Sequence, residues 1–468
     1  MSGRVYRVFG LVGLVIALLV ASCTPQPTPM PTEEPTPVEE PTEEPVVTEA
    51  PQETPTMEPE PEPEERPLEG QTVSVLAVWG EGNELDSFRA MVAPWEEMTG
   101  ATMEFEGTRD INAVLTTRVE GGNPPDIAGL PGPGQMAIYA EQGHLVDLGT
   151  FMDVDALRET YAANWLDMAS VDGNLYGIFL KAAVKSLVWY HPPAFDAAGY
   201  TLPENWEELL ALSDQIVADG TTPWCIGLEG GAASGWPGTD WIEDIMLRTA
   251  GPDVYDQWWR HEIPWTDPAV RTAWETWGEI VGNPDYLYGG STGALATNFG
   301  ESVYPLLEDP VGCYLHRQAT FIEGFITEQF PDAQAEQDFT FFDFPPIDPA
   351  QGSPLLVAGD LLGMFNDTPA ARSLMEWLTS AEAQQIWAER GGFIATNRNV
   401  STDVYPNPLI AQAAQSLVES DVVRFDASDL MPAAVNQAFW SGVLNFVENP
   451  DNLDEILESI EQVAQESY

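Results

Sequence analysis

Residues 229–241 read Glu-Gly-Gly-Ala-Ala-Ser-Gly-Trp-Pro-Gly-Thr-Asp-Trp, which brings two indoles and two carboxylates onto one glycine-rich stretch. A flat apolar ring beside an acid suits a sugar. The sugar's C–H face stacks on Trp236, and its hydroxyls donate to Asp240. Gly230, Gly231, Gly235 and Gly238 free the backbone to turn, and Pro237 bars a helix from running through it. After Thr239, the residues Trp241, Ile242, Ile245, Met246 and Thr249 recur at helical spacing. The pattern predicts Trp236 and Asp240 on a loop that opens a helix. The competing reading is a capped helix start whose tryptophans belong to the core.

No catalytic constellation accompanies this stretch. His144, His191, His261 and His316 lack zinc-ligand spacing, and the chain has no nucleophile elbow, Walker motif or dinucleotide fingerprint. No metal and no cofactor is expected. Carboxylates are too numerous for counting to exclude a glycosidase acid pair, and nothing selects one. The 468 residues carry 75 acids against 17 bases, a net charge of −58, which argues against nucleic acid and anionic membrane surfaces as partners. The lysines, Lys181 and Lys185, lie in one short segment.

The elements that must hold such a site begin after a long leader. Arg4 and Arg7 precede an apolar run over 8–20 that is shorter than a membrane span, and Val20-Ala21-Ser22-Cys23 resembles a bacterial lipobox. Residues 1–22 are thus expected to be a lipoprotein signal peptide, with Cys23 acylated. Residues 23–69 are expected to form a disordered Pro/Thr/Glu-rich tether. In an oxidising compartment Cys225 and Cys313 are expected to pair, two buried thiols being the alternative. Residues 71–79, 102–106 and 124–128 read as strands and 84–98 and 112–121 as helices, which implies an α/β layer with mostly parallel strands. Ligands of such sheets gather at loops beyond the strand C-termini, here Trp79, 107–110 and 132–135. Further strands are expected over 175–190 and near 224–228, 311–315, 340–344, 356–357 and 361–365. Helices are expected after 203 and near 269–281, 369–389 and 453–466.

From residue 71 onward the chain resembles the extracellular solute-binding proteins of ABC importers, in the maltose-binding-like carbohydrate group. The match is carried by Gly122-Asn123-Pro124-Pro125-Asp126-Ile127, Leu145-Val146-Asp147-Leu148, Gly173-Asn174-Leu175-Tyr176-Gly177-Ile178, Lys185-Ser186-Leu187-Val188-Trp189-Tyr190, Asn205-Trp206-Glu207-Glu208-Leu209 and Val357-Ala358-Gly359-Asp360, in that order. Pro223-Trp224-Cys225-Ile226-Gly227, Cys313-Tyr314-Leu315-His316 and Gly235-Trp236-Pro237 look like the α-glucoside-binding branch. The resemblance implies a two-lobed α/β fold of the periplasmic-binding-protein type. Each lobe would be a mixed, mostly parallel sheet flanked by helices: 71–180 plus 361–392, and 182–358 plus 394–468. The chain would cross between lobes near 178–184, 357–363 and 391–396.

The implied function is the substrate-binding component of an ABC importer: a lipid-anchored, extracytoplasmic monomer that captures a sugar between the lobes, delivers it to permease subunits and performs no chemistry. Its rivals are a secreted glycoside hydrolase and a receptor for another solute, such as a polyol, a peptide or glycerol phosphate. The implied site residues fall on both lobes. Trp79, Arg109, Asp110 and Gln135 belong to the first. Glu229, Trp236, Asp240 and Asn298 belong to the second. Lys185, Ser186, Gly359 and Asp360 lie on crossing segments, and Phe393 and Trp440 are apolar walls.

Overall fold

The computed structural model describes residues 66–468, apart from Glu81, Pro131 and Asp421. The expected signal peptide, Cys23 and most of the tether fall outside the described residues. Strand β1 (Thr72–Ala77), the Gly82–Thr99 helix, β2 (Thr102–Gly107), the Ile111–Glu120 helix and β3 (Ile127–Leu130) follow the alternation read from the sequence. Both β2 and β3 lie parallel to β1. This is the arrangement that crossover helices impose. A two-strand ladder of β4 (Ser170–Val171) and β5 (Asn174–Leu175) leads into β6 (Gly177–Val184). After β6 come β7 (Leu187–Tyr190), β8 (His316–Arg317), β9 (Thr340–Asp343), β10 (Leu355–Met364), β11 (Ile394–Ala395) and β12 (Val423–Phe425).

The large sheet runs β11-β6-β10-β3-β1-β2, with β12 on the other half of β10. Residues 361–364 of β10 pair with β3, and residues 355–357 pair with β12. Strand β6 runs antiparallel along both halves. Two separate strands were expected near 356–357 and 361–365. The strand instead continues through a register shift between Asp360 and Leu361. Such a bulge bends a strand and re-aims its side chains.

The second sheet, β8-β7-β9, departs from the expected mostly parallel pairing: β7 is antiparallel to both neighbours. Parallel pairing survives beside it as isolated bridges from Trp224 to Leu287 and to Leu315, and from Glu229 to Asn298. Pro223, Gly227 and Gly230 keep the 224–229 segment from a longer ladder. The expected strand at 311–315 is replaced by β8, and Cys225 donates its amide to the Leu315 carbonyl. Cys225 and Cys313 form a disulfide, with Cα atoms 5.6 Å apart. The single helix expected over 369–389 is two, Pro369–Leu378 and Ala381–Ala388. Ser380 caps the second by accepting from the Ala383 amide.

Buried apolar side chains form two clusters. One packs β1–β3 and their helices through Val75, Phe88, Leu115, Leu374 and Trp387, and extends to Trp189, Cys225, Cys313 and Phe341. The other is rich in indoles, with Trp224, Trp241, Trp258, Trp265, Trp274 and Trp277. Strand β6 gives Phe179, Leu180 and Val184 to the first cluster, and β10 gives Val357 and Leu361 to the first and Leu356 to the second; the cleft opens over these two strands.

Candidate ligand cleft

A cavity of about 630 Å³ opens over the middle of β6 and β10. The bulge places Lys181 of β6 opposite Asp360 of β10. Lys181 Nζ lies 2.8 Å from Glu84 Oε1 and 3.4 Å from Asp360 Oδ2. Arg109 Nη2 reaches the other Glu84 oxygen at 3.1 Å, and Trp79 Nε1 donates to Asp360 at 3.3 Å. Burial opposes the charge on Glu84, but the Lys181 and Arg109 cations outweigh it and hold the carboxyl below its usual range. Burial likewise disfavours the Lys181 ammonium, yet Glu84 and Asp360 raise its pKa. Glu84 and Lys181 are therefore held in their charged forms, and both cations of the floor are tied to acids.

The facing wall is aromatic. The Trp236–Thr249 helix starts at Trp236, so Trp236 and Asp240 lie within its first turns and not on a preceding loop. Pro237 is tolerated because a first-turn amide has no intrahelical partner. Gly235 takes φ +109°, and a Cβ there would stand 2.4 Å from the Trp440 carbonyl oxygen, so the turn needs glycine on both counts. The Trp236 ring is half-buried, 5.1 Å from Phe299 and 5.9 Å from Phe321 between centroids, with Lys185 Nζ 5.4 Å from its centre. Arg109 crosses to this wall, its guanidinium 5.4 Å from the Phe299 centroid. Trp440 and Phe325 complete the wall.

Beneath Trp236 lies a buried charge layer. From Pro237 to Arg248 the helix is buried at every residue, although it carries Asp240, Glu243, Asp244 and Arg248. Asp240, Asp244 and Arg248 fall at i, i+4 spacing on one stripe. Lys185 Nζ is 2.7 Å from Asp240 and also bonds Asp426, while Arg317 lies 3.3 Å from Asp240 and 2.8 Å from Asp244. Glu243 accepts from the Ser428 amide, and its Oε2 is buried without a partner.

Burial, aided by Asp426 and against the pull of Lys185, pushes Asp240 from 3.8 up to about 6. Burial and the charges of Asp426 and Asp240 raise Glu243 well above its ordinary value, and burial with Asp426 does the same to Asp429. A carboxyl with a raised folded pKa holds its proton more tightly in the fold, so its contribution is full below about 4 and fades as pH rises through the folded value. Asp426 is lowered; burial opposes this, but Lys185 prevails, and its contribution is lost only as pH falls below about 4. Melting temperature is therefore expected to fall between pH 5 and pH 8, and Glu243→Gln should flatten that slope. A flat wild-type profile, or a slope that the substitution leaves untouched, would remove Glu243 from the account.

The structure disperses some of the expected site residues. Trp79, Arg109, Asp110, Lys185, Trp236, Asp240, Gly359, Asp360 and Trp440 line the cavity. Of these, Lys185 and Asp240 are buried and paired to each other, and Trp79 sits among Phe88 and Trp387. Asn298 lines a smaller adjoining chamber. Its amide donates to Glu229, which stays outside both chambers and also accepts from the Gly231 amide. Ser186 is buried, donating to Asp244 and accepting from the Leu356 amide. Phe393 is core, stacked on Trp387 at 4.9 Å. Gln135 stands away from the cleft beside Tyr139. Its helix is turned by the close packing of Gly132 and Gly134 on the backbone at Asp429 and Met431. Glu84, Lys181, Asp426, Asp429, Phe299 and Phe321 line the cavity and were not singled out. The pairing of the two lysines was the available signal for Lys181.

The antiparallel β6–β10 pair and a cleft with one ionised and one aromatic side belong to a solute receptor of the maltose-binding-like fold. The chain belongs to the bacterial extracellular solute-binding protein family, whose model matches residues 81–385. It is 44% identical over 382 residues to the osmoprotective compounds-binding protein of Synechocystis sp., covering 81% of this chain and 90% of that one. It is 38% identical over 398 residues to the alpha-glucosides-binding periplasmic protein of Rhizobium meliloti, covering 83% and 86%. Among solved structures it resembles the bacterial solute receptor AcbH, with TM-score 0.74 at 18% identity over 85% of this chain and 99% of that one. It also resembles the solute-binding protein RafE in complex with raffinose, with TM-score 0.68 at 18% identity over 85% and 99%. Family membership places the chain outside the cytoplasm. Among the described residues no helix is long and apolar enough to cross a membrane.

Proposed function

We propose that the protein captures a neutral α-glucoside, such as maltose, trehalose or sucrose, or a related oligosaccharide, and delivers it unchanged to the permease of an ABC importer. One observation carries this reading: the Trp236–Phe299–Phe321 wall faces the Glu84–Lys181–Asp360–Arg109 floor across one cavity. Such a cleft stacks one face of a sugar ring and reads its hydroxyls with charge-assisted hydrogen bonds. The relatives that bind alpha-glucosides and osmoprotective compounds support the ligand class. Of the cleft acids, Glu84 is tied to Lys181 and Arg109, Asp360 to Lys181, and Asp240 and Asp426 to Lys185. This favours binding over acid–base cleavage.

The lobes are 71–180 plus 361–392 and 182–358 plus 394–468, hinged on β6, β10 and the segment at β11. Acylated Cys23 and the tether hold a monomer at the cell membrane. A melting-temperature panel of α-glucosides, glycerol phosphate and short peptides tests this reading. Stabilisation by α-glucosides alone is expected, and stabilisation by a phosphate or a peptide in their place contradicts it.

A further inference from the structure

Beside the main cavity lies a second chamber of about 310 Å³. The two share Glu84, Arg109, Phe321 and Phe325 as walls, so they are compartments of one cleft and not separate pockets. Arg109 stands at the junction, tied to Glu84 on one side and stacked on Phe299 on the other. The second chamber is more polar. Beyond Arg109 its lining offers Asn83, Glu301, Tyr304 and Glu328. Among the described residues the exposed carboxylates of Glu301 and Glu328 form no hydrogen bond or ion pair, and neither does the Tyr304 hydroxyl. Burial, with the charges of these two glutamates, raises the Tyr304 phenol pKa, which keeps it a donor. The one cation here, Arg109, is already paired to a wall carboxylate.

We propose that this chamber seats the aglycone of the bound glycoside, and that it admits a hydroxylated aglycone without negative charge and rejects an anionic one. The inference rests on the glycoside reading above. Hydroxyl groups donate to Glu301 and Glu328 where they meet no competing partner. A carboxylate or phosphate meets the like charge of two unpaired glutamates and no unpaired cation in this lining, so it is repelled. The main cavity repeats the bias, since Lys181 and Lys185 are both already paired with acids.

Three α-glucosides test this by calorimetry on the intact protein: methyl α-glucoside, maltitol and maltobionate. The last two differ only in a terminal hydroxymethyl against a carboxylate. Maltitol is expected to bind at least about tenfold more tightly than methyl α-glucoside, and maltobionate at least about tenfold more weakly than maltitol. The chamber is then filled by Gly324→Phe. Gly324 lines the chamber, and a Cβ there meets nothing nearer than Asn83 Nδ2 at 4.0 Å. The substitution should bring maltitol down to the affinity of methyl α-glucoside and leave the latter unchanged. The Glu301→Gln, Glu328→Gln double variant should narrow the gap between maltitol and maltobionate. Maltitol no tighter than methyl α-glucoside, maltobionate equal to maltitol, or equal weakening of both neutral ligands by Gly324→Phe would each overturn the inference and leave glycoside binding standing. Failure of every glucoside to bind would remove the glycoside reading itself, and this inference with it.

Discussion

Replacing Lys185 with methionine is expected to destabilise the ligand-free fold by about 3–5 kcal/mol at pH 7.5, the usual effect of stranding a buried charge. Lys185 is 5% exposed, and its ammonium is shared by Asp240 and Asp426, themselves 1% and 2% exposed. Arg317 cannot take over, because it is committed to Asp244 and reaches only Asp240. Methionine matches the length of the lysine stem, so the loss reports charge and not a cavity. The stranded acids have one remaining remedy, which is to bind protons. The deficit should therefore shrink at pH 5, and thermal melting at the two pH values checks both parts. An unchanged melting temperature, or a deficit that grows on acidification, would show that the layer does not depend on Lys185.

Trp236→Ala is expected to weaken sugar binding by about 1–3 kcal/mol, or roughly 5- to 150-fold, while the chain stays folded. The ring is only half-buried in the free protein, and one face borders the cavity. Phe299 and Phe321 hold it edge-on and tilted, and Lys185 sits close beneath it. Removing it deletes the stacking surface without emptying the core, because Trp241 and Ile242 carry the helix packing. Calorimetry of the variant, with its melting curve, separates the two roles. Full affinity combined with a collapsed melting temperature would make Trp236 a core residue.

The alternation of strands and helices over 71–130 was legible because each element is short, periodic and closed by Gly or Pro. The β6–β10 pair was less so. Strand β10 was read as two pieces, whereas pairing with β6 on one side and with β3 and β12 on the other carries the strand across Gly359-Asp360. Trp236 was expected on a loop because Pro237 was weighed as a breaker, although a first-turn proline starts helices. The acidic stripe of the Trp236–Thr249 helix reads in sequence as a solvated face. Its burial depends on Lys185, from the link between β6 and β7, and Arg317, from β8, which lie 55 and 73 positions away in the chain from the acids they meet. Glu84 was legible only as the start of a helix. Its role as a bridge to Lys181 appears when β6 is laid beside the Gly82–Thr99 helix, a tertiary fact that no local spacing encodes.

The most direct test of the central claim is calorimetric titration of the purified protein with maltose, trehalose and sucrose, followed by chromatography of the recovered sugar. The account predicts saturable binding of at least one of them at one site per chain, with the sugar returned intact and the heat lost in Trp236→Ala. Release of glucose from the bound sugar, or no heat with any neutral glycoside, would contradict it.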